Sequence, residues 1–206
     1  AAAVPLEEEL RRTIPVIRRL AKSVRVPLSI DTSKAEVAQR ALDAGASIVN
    51  DVTALRGDPT MASVIARHKA SVILMHMRGT PQAMQKRPTY RRLIPEIRSQ
   101  LARSAAKAIR AGIPRDKILI DPGIGFGKRL IDNLKLLKNL DLLKAMGFPV
   151  VVGPSRKSFI GEVLNVPVED RLFGTAAAVA LSVVHGADVV RVHDVAAMRQ
   201  VVDLTQ

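Results

Sequence analysis

The sequence predicts an α/β fold in which parallel strands alternate with crossover helices. Three observations carry this. Short β-branched or apolar runs alternate with amphipathic helical stretches from end to end. Each run stops at polar or ionisable residues, as loops do where they gather on the carboxyl face of a parallel sheet. No linker, low-complexity tract or close internal repeat interrupts the pattern, so the 206 residues read as one domain over 1–206 with a sizeable core.

The elements follow in order. Glu7–Lys22 places Leu10, Ile14, Ile17 and Leu20 on one helical stripe. Glu7, Glu8 and Glu9 fill its first turn, where the helix dipole favours acids, and Pro15 is expected to kink it. Val26–Ile30 is a strand ending at Asp31-Thr32-Ser33, and a helix over about Lys34–Ala44 stops at Gly45. Ala46–Val49 is a strand ending at Asn50-Asp51; Thr60–His68 is a helix; Ser71–Met75 is a strand ending at His76. Met77–Thr89, with Gly79, Pro81 and Pro88, reads as a loop over the functional face. Tyr90–Ala111 is a long basic helix, Lys117–Ile120 a strand, Leu130–Met146 one Leu-rich helix, and Val150–Val152 a strand buried on both faces. Glu169–His185 is predicted to be a buried helix, Ala187–Val192 a sixth strand, and the last helix runs to about Leu204. Because all six strands end in polar residues, a closed ring feeding one pocket is favoured over an open sheet. The expected fold is therefore the (β/α)8 barrel type. Six strands are about two βα units short of that ring, which places the missing units ahead of this sequence.

Composition narrows the function. Net charge is +13, from 32 Lys+Arg against 19 Asp+Glu. The cations are dispersed over helices and aromatics are only 2%, leaving little for bases to stack on, so no specific nucleic-acid binding is expected. An affinity for anionic small molecules suits the charge better. No run reaches the ~18 apolar residues of a membrane span. The amino terminus lacks the pattern of a secretory signal. The chain has no Cys, which excludes disulfides and thiolate metal sites and fits a reducing, cytoplasmic compartment.

Several strand ends carry chemistry. Asp31 could accept two N–H donors from an amidine-like heterocycle edge, or simply cap the helix near Lys34. Asn50 can donate and accept at a ring edge, or close an Asx turn with Asp51. In Asp121-Pro-Gly-Ile-Gly-Phe-Gly-Lys128 the glycines permit tight turns and close backbone approach, and Phe126 could flank a flat ring. The spacing matches neither the dinucleotide fingerprint nor the P-loop. Ser155-Arg156-Lys157-Ser158 sets two cations and two hydroxyls after a strand, suited to an anion or a carbonyl, or to a solvated turn. Arg191 and His193, beside Asp194, could hold a diphosphate. A metal on His76 and His193 lacks any supporting spacing.

Taken together, SIDTSK (Ser29–Lys34), IVNDV (Ile48–Val52), MHMRGTPQAMQ (Met75–Gln85), ILIDPGIGFGK (Ile118–Lys128), GPSRKSFIG (Gly153–Gly161) and RVHDV (Arg191–Val195) resemble the dihydropteroate synthase family of pterin-binding enzymes. The resemblance spans essentially the whole chain. It implies a (β/α)8 TIM barrel, usually a homodimer, acting in folate biosynthesis and targeted by sulfonamides. The implied reaction joins 7,8-dihydropterin-6-ylmethyl diphosphate to 4-aminobenzoate, releasing diphosphate and 7,8-dihydropteroate. It implies that Asp31, Asn50 and Asp121 hydrogen-bond the pterin, Met75 and Phe126 line its slot, and Lys157 reaches its carbonyl and ring nitrogen. Ser158 would help seat the aminobenzoate, and Arg191 and His193 would bind the diphosphate. Diphosphate would leave before the amine attacks, with buried carboxylates such as Asp31 and Asp121 stabilising the pterin cation and Lys157 polarising. Mg2+ is implied too, on a ligand in the family's first-strand segment, which has no counterpart in these residues. Nor has the second-strand loop, so weak or no turnover is expected of this polypeptide alone. Rival readings are a methyltetrahydrofolate-type methyltransferase, which would have no diphosphate to hold, and a non-catalytic pterin binder. The family reading requires Asp31, Asn50, Asp121, Lys157 and Arg191 at the same rim of the sheet.

Overall fold

The computed structural model describes residues 4–79, 84 and 88–206. It is an α/β structure with nine α-helices and six strands among the described residues. In order these are α1 (Leu6–Ser23), β1 (Ser29–Asp31), α2 (Ala35–Asp43), β2 (Ile48–Asp51), α3 (Met61–Arg67), β3 (Ser71–Met75), α4 (Leu93–Arg110), β4 (Ile118–Asp121), α5 (Leu130–Leu137), α6 (Leu140–Lys144), β5 (Val151–Val152), α7 (Ser158–Leu164), α8 (Leu172–Val184), β6 (Val189–Val190) and α9 (Val195–Thr205). Part of the expected loop Met77–Thr89, residues 80–83 and 85–87, lies outside the described residues, and so does the corresponding part of the MHMRGTPQAMQ motif.

The residues fall into two compact units, one of Ala1–His76 with Gln100–Leu119, the other of Met77–Ser99 with Ile120–Gln206. In the first, β1 pairs parallel with β2 and β2 with β3, within a sheet ordered β1-β2-β3-β4. The strand interiors are apolar because helices cover them: Val49, Val72 and Leu74 have no solvent exposure, nor have Val37, Ala38 and Ala41 of α2. In α1 only Ile14 and Ile17 of the expected stripe are buried, and Leu20 is 40% exposed. In the second unit Ile120 bridges Val150 in parallel, and β5 pairs parallel with β6. Val150, Val151 and Val152 are buried there with Leu136, Phe159, Val179 and Met198.

Four expectations need correction. The Leu-rich run 130–146 is two helices, because the chain leaves helical geometry at Asn139, whose side-chain amide donates back to the Lys135 carbonyl (2.8 Å). The residues after the SRK cluster form α7, unforeseen because seven residues are too few to show a period. Glu169–His185 starts later, at Leu172, and is not buried all round. Thr175, Ala178, Val179 and Ser182 face inward, whereas Phe173 is 84% exposed and Val184 66%. The sixth strand keeps only Val189 and Val190. Among the described residues no helix is long and apolar enough to cross a membrane.

Candidate functional site

In the first unit the expected residues stand at carboxyl ends of strands. Asp31 closes β1 and is in register with Asn50 of β2, and Met75 closes β3. Asn50 and Met75 are buried. Asp31 is exposed, against the expectation of a buried carboxylate, because β1 is the edge of its sheet and its end residues face outward. The cap that the sequence offered to Asp31 comes from elsewhere: Asp58 accepts the Ala35 N–H (2.9 Å) and Thr32 the Lys34 N–H (3.2 Å). The Asx turn belongs to Asp51, whose carboxylate accepts the Thr53 N–H (2.8 Å), the Thr53 hydroxyl (2.7 Å) and the Leu55 N–H (2.7 Å). Those bonds hold Ala54 and Leu55 in the left-handed region.

The second unit holds the denser constellation. Asp121 closes β4 with 1% exposure. One carboxylate oxygen accepts the Gly123 N–H (2.7 Å) and the other accepts from Arg191 Nη2 (2.9 Å), reaching from just beyond β6. That approach needs a glycine at 153, since a Cβ there would lie 2.9 Å from the Arg191 guanidinium. The loop after Asp121 turns on Gly123, Gly125 and Gly127, all at positive φ. It is hooked along its length: Asn133 Oδ1 accepts the Gly125 N–H (2.8 Å), Tyr90 donates to the Gly127 carbonyl (2.8 Å), and Lys128 donates to the Phe126 carbonyl (3.0 Å).

Lys157 lies along this loop. Its ammonium donates to the Ile124 carbonyl and sits 4.6 Å from the centre of the Phe126 ring. A Cβ on Gly125 would press to 2.9 Å from Lys157 Cδ. Burial pulls the Lys157 ammonium down to about 8, Asp121 opposing the shift and Arg191 adding to it. Lys128, 4% exposed, is pulled down to about 7, again chiefly by burial. Ser155 anchors the last expected residue: its hydroxyl accepts the His193 N–H (3.2 Å) and lies 2.8 Å from His193 Nδ1. Arg156 donates from Nε and Nη2 to the two oxygens of Asp194 (2.9 Å each), holding that carboxyl below the usual carboxylate range. Ser158 opens α7 and is exposed. One buried carboxylate, a buried lysine, a half-buried lysine and an arginine thus meet at a glycine-rich loop with an aromatic ring, suited to a flat polar heterocycle bearing an anion.

Residues 1–193 match the family described as pterin binding enzyme. The chain belongs to the pterin binding enzymes. It is 48% identical over 202 residues to the dihydropteroate synthase of Synechocystis sp., covering 98% of this chain and 70% of that protein. The Yersinia pestis dihydropteroate synthase solved with a sulfonamide drug superposes with a TM-score of 0.97 at 40% identity, over 100% of this chain and 74% of that one. The Xanthomonas albilineans synthase solved with 7,8-dihydropteroate gives 0.92 at 43% identity, over 99% and 75%. The fold class is therefore the α/β TIM-barrel type of these synthases. The chain spans about two thirds of the length of the curated relatives it matches.

Sequence reasoning gave no role to Tyr90 or Lys128 of this pterin binding enzyme, and it named Ser155, Arg156 and Asp194 without the partners they bond. The glycine-rich loop ending in lysine was a usable signal for Lys128. Ser155 and Arg156 bond to partners 38 residues away, a distance at which spacing carries no information.

Proposed function

We propose that the chain is built for dihydropteroate synthase chemistry, which joins a dihydropterin-methyl diphosphate to 4-aminobenzoate, with weak or no turnover expected of this polypeptide alone. The Asp121–Arg191 pair beside Lys157 carries this reading, because it sets a buried carboxylate, a lysine and an arginine against one glycine-rich turn. Asp121 accepts N–H donors from the pterin's amidine-like edge. Lys157 donates to its carbonyl and ring nitrogen while Phe126 flanks the ring. Arg191 and His193 take the diphosphate, and Ser158 helps seat the aminobenzoate. The family resemblance also assigns Asp31 and Asn50 to hydrogen bonds with the pterin and Met75 to its slot.

In the reaction the bond between the pterin methylene carbon and the diphosphate oxygen breaks, and the electron pair leaves with diphosphate. The arylamine nitrogen then bonds to that carbon and loses a proton. The Asp121 carboxylate stabilises the pterin cation between these steps, in a site where its charge is little screened. Among the described residues no group of three or more His, Asp or Glu side chains could hold a metal ion. Magnesium, implied by the family resemblance, would accompany the diphosphate. A homodimer and a cytoplasmic setting belong to the same proposal; sedimentation velocity of the purified chain checks the first.

Competition calorimetry tests the reading. Inorganic diphosphate should compete with the pterin diphosphate on the wild-type chain, and Arg191→Ala should abolish the competition. Pterin binding indifferent to diphosphate would point to a methyl-transferring or non-catalytic binder instead.

A further inference from the structure

Arg156 is a non-glycine residue in the left-handed region, at φ 55°, a conformation that persists only where surroundings impose it. Here the first turn of α8 and the residue capping it do so. Arg171, at the cap, donates from Nη1 to the Arg156 carbonyl (3.0 Å). Thr175, four residues on and fully buried, accepts the Arg156 N–H on its hydroxyl (3.0 Å). An i, i+4 pair on one helix face thus holds both backbone groups of a single strained residue. Arg171 is wedged in place. Its Nε is buried without a hydrogen-bond partner, and its Nη2 lies where a Cβ on Gly161 would come within 2.3 Å. An arginine left with a buried unsatisfied donor is costly to keep, so the contacts it does make matter. The side chain of Arg156 is fixed as well, by Asp194.

The residue that follows is Lys157. Its aim depends on the peptide that Arg171 and Thr175 hold. We propose that Arg171 and Thr175 are positioning residues: by locking Arg156 in its left-handed conformation they direct Lys157 along the Gly125 turn and over Phe126. What Lys157 then does to a pterin rests on the proposed function; its placement does not.

The test follows the pH titration of the Lys157 side chain by NMR in the ligand-free chain, assigned by the signal lost in Lys157→Arg. In the wild type it should titrate near 8, held there by burial, with Arg191 adding to the shift and Asp121 opposing it. Arg171→Met and Thr175→Val should each move it toward the ordinary lysine value of 10.5, as the released side chain reaches water. Both should weaken pterin binding about tenfold or more. Thr175→Ser, which restores the hydroxyl, should return both readouts. A folded Arg171→Met or Thr175→Val chain whose Lys157 still titrates near the wild-type value overturns the proposal. Should Arg171→Met not fold, Thr175→Val alone decides. Failure of the wild-type chain to bind pterin would refute the functional reading and leave the titration to judge the positioning.

Discussion

Two carboxylates that each close a strand are used in opposite ways. Asp51, at the end of β2, gives both oxygens to its own loop, to Thr53 and Leu55. Asp121, at the end of β4, gives one oxygen to its loop and the other to an arginine 70 residues away. Both are almost fully buried. The first is spent on structure; the second is kept in a charge pair that a ligand with its own donors and anion can displace. Burial of an acid at a strand end is therefore no guide to function until its partners are known.

The sharpest way to break this contrast is Asp51→Ala. It strips acceptors from two backbone N–H groups and a hydroxyl and releases a loop with two left-handed residues, so it should cost about 3–4 kcal/mol in urea unfolding. Pterin affinity in the folded fraction should stay within about threefold. Arg191→Met should cost less, about 1–2 kcal/mol, because the arginine side chain is 40% exposed and solvent screens the pair. It should nonetheless abolish diphosphate competition. Glycines sharpen the comparison further. Gly125→Ala forces a Cβ against Lys157 at φ 79° and should cost about 1–2 kcal/mol and weaken pterin binding. Gly112→Ala, at φ 93° with 3.8 Å of clearance, should cost about 1 kcal/mol and leave binding unchanged. The smallest effect is in pH. Lys157 is protonated below about 8 and loses its charge above it. Diphosphate affinity should thus fall about threefold to tenfold between about pH 7 and 9, and Lys157→Arg should flatten that fall.

How legible was this in the sequence? β3 was readable to the residue, since Ser71–Met75 is four apolar residues led by a serine and stopped at His76. That Asn50, Asp121 and Arg191 stand at strand ends was legible because each directly follows an apolar run; what they do to a ligand belongs to the proposal. What stayed hidden has a common cause. Asp58 capping α2, Arg171 gripping Arg156 and Asp194 gripping Arg156 are side-chain contacts across 23, 15 and 38 residues. Local propensity and periodicity say nothing at such separations. The buried Asp31 came from the family resemblance; position at a sheet edge, where Asp31 stands exposed, is a property of topology. The break at Asn139 was masked by leucines on both sides, which satisfy one long helix as well as two short ones.

The central claim is that Asp121 is the pterin-reading acid of this chain, in contrast to Asp51. Calorimetric titration of the dihydropterin diphosphate into the wild-type polypeptide and into Asp121→Asn addresses it most directly. The account predicts one-to-one binding by the wild type and a loss of about a hundredfold or more in the variant, with the fold intact by circular dichroism. Equal affinity in the two proteins would contradict it.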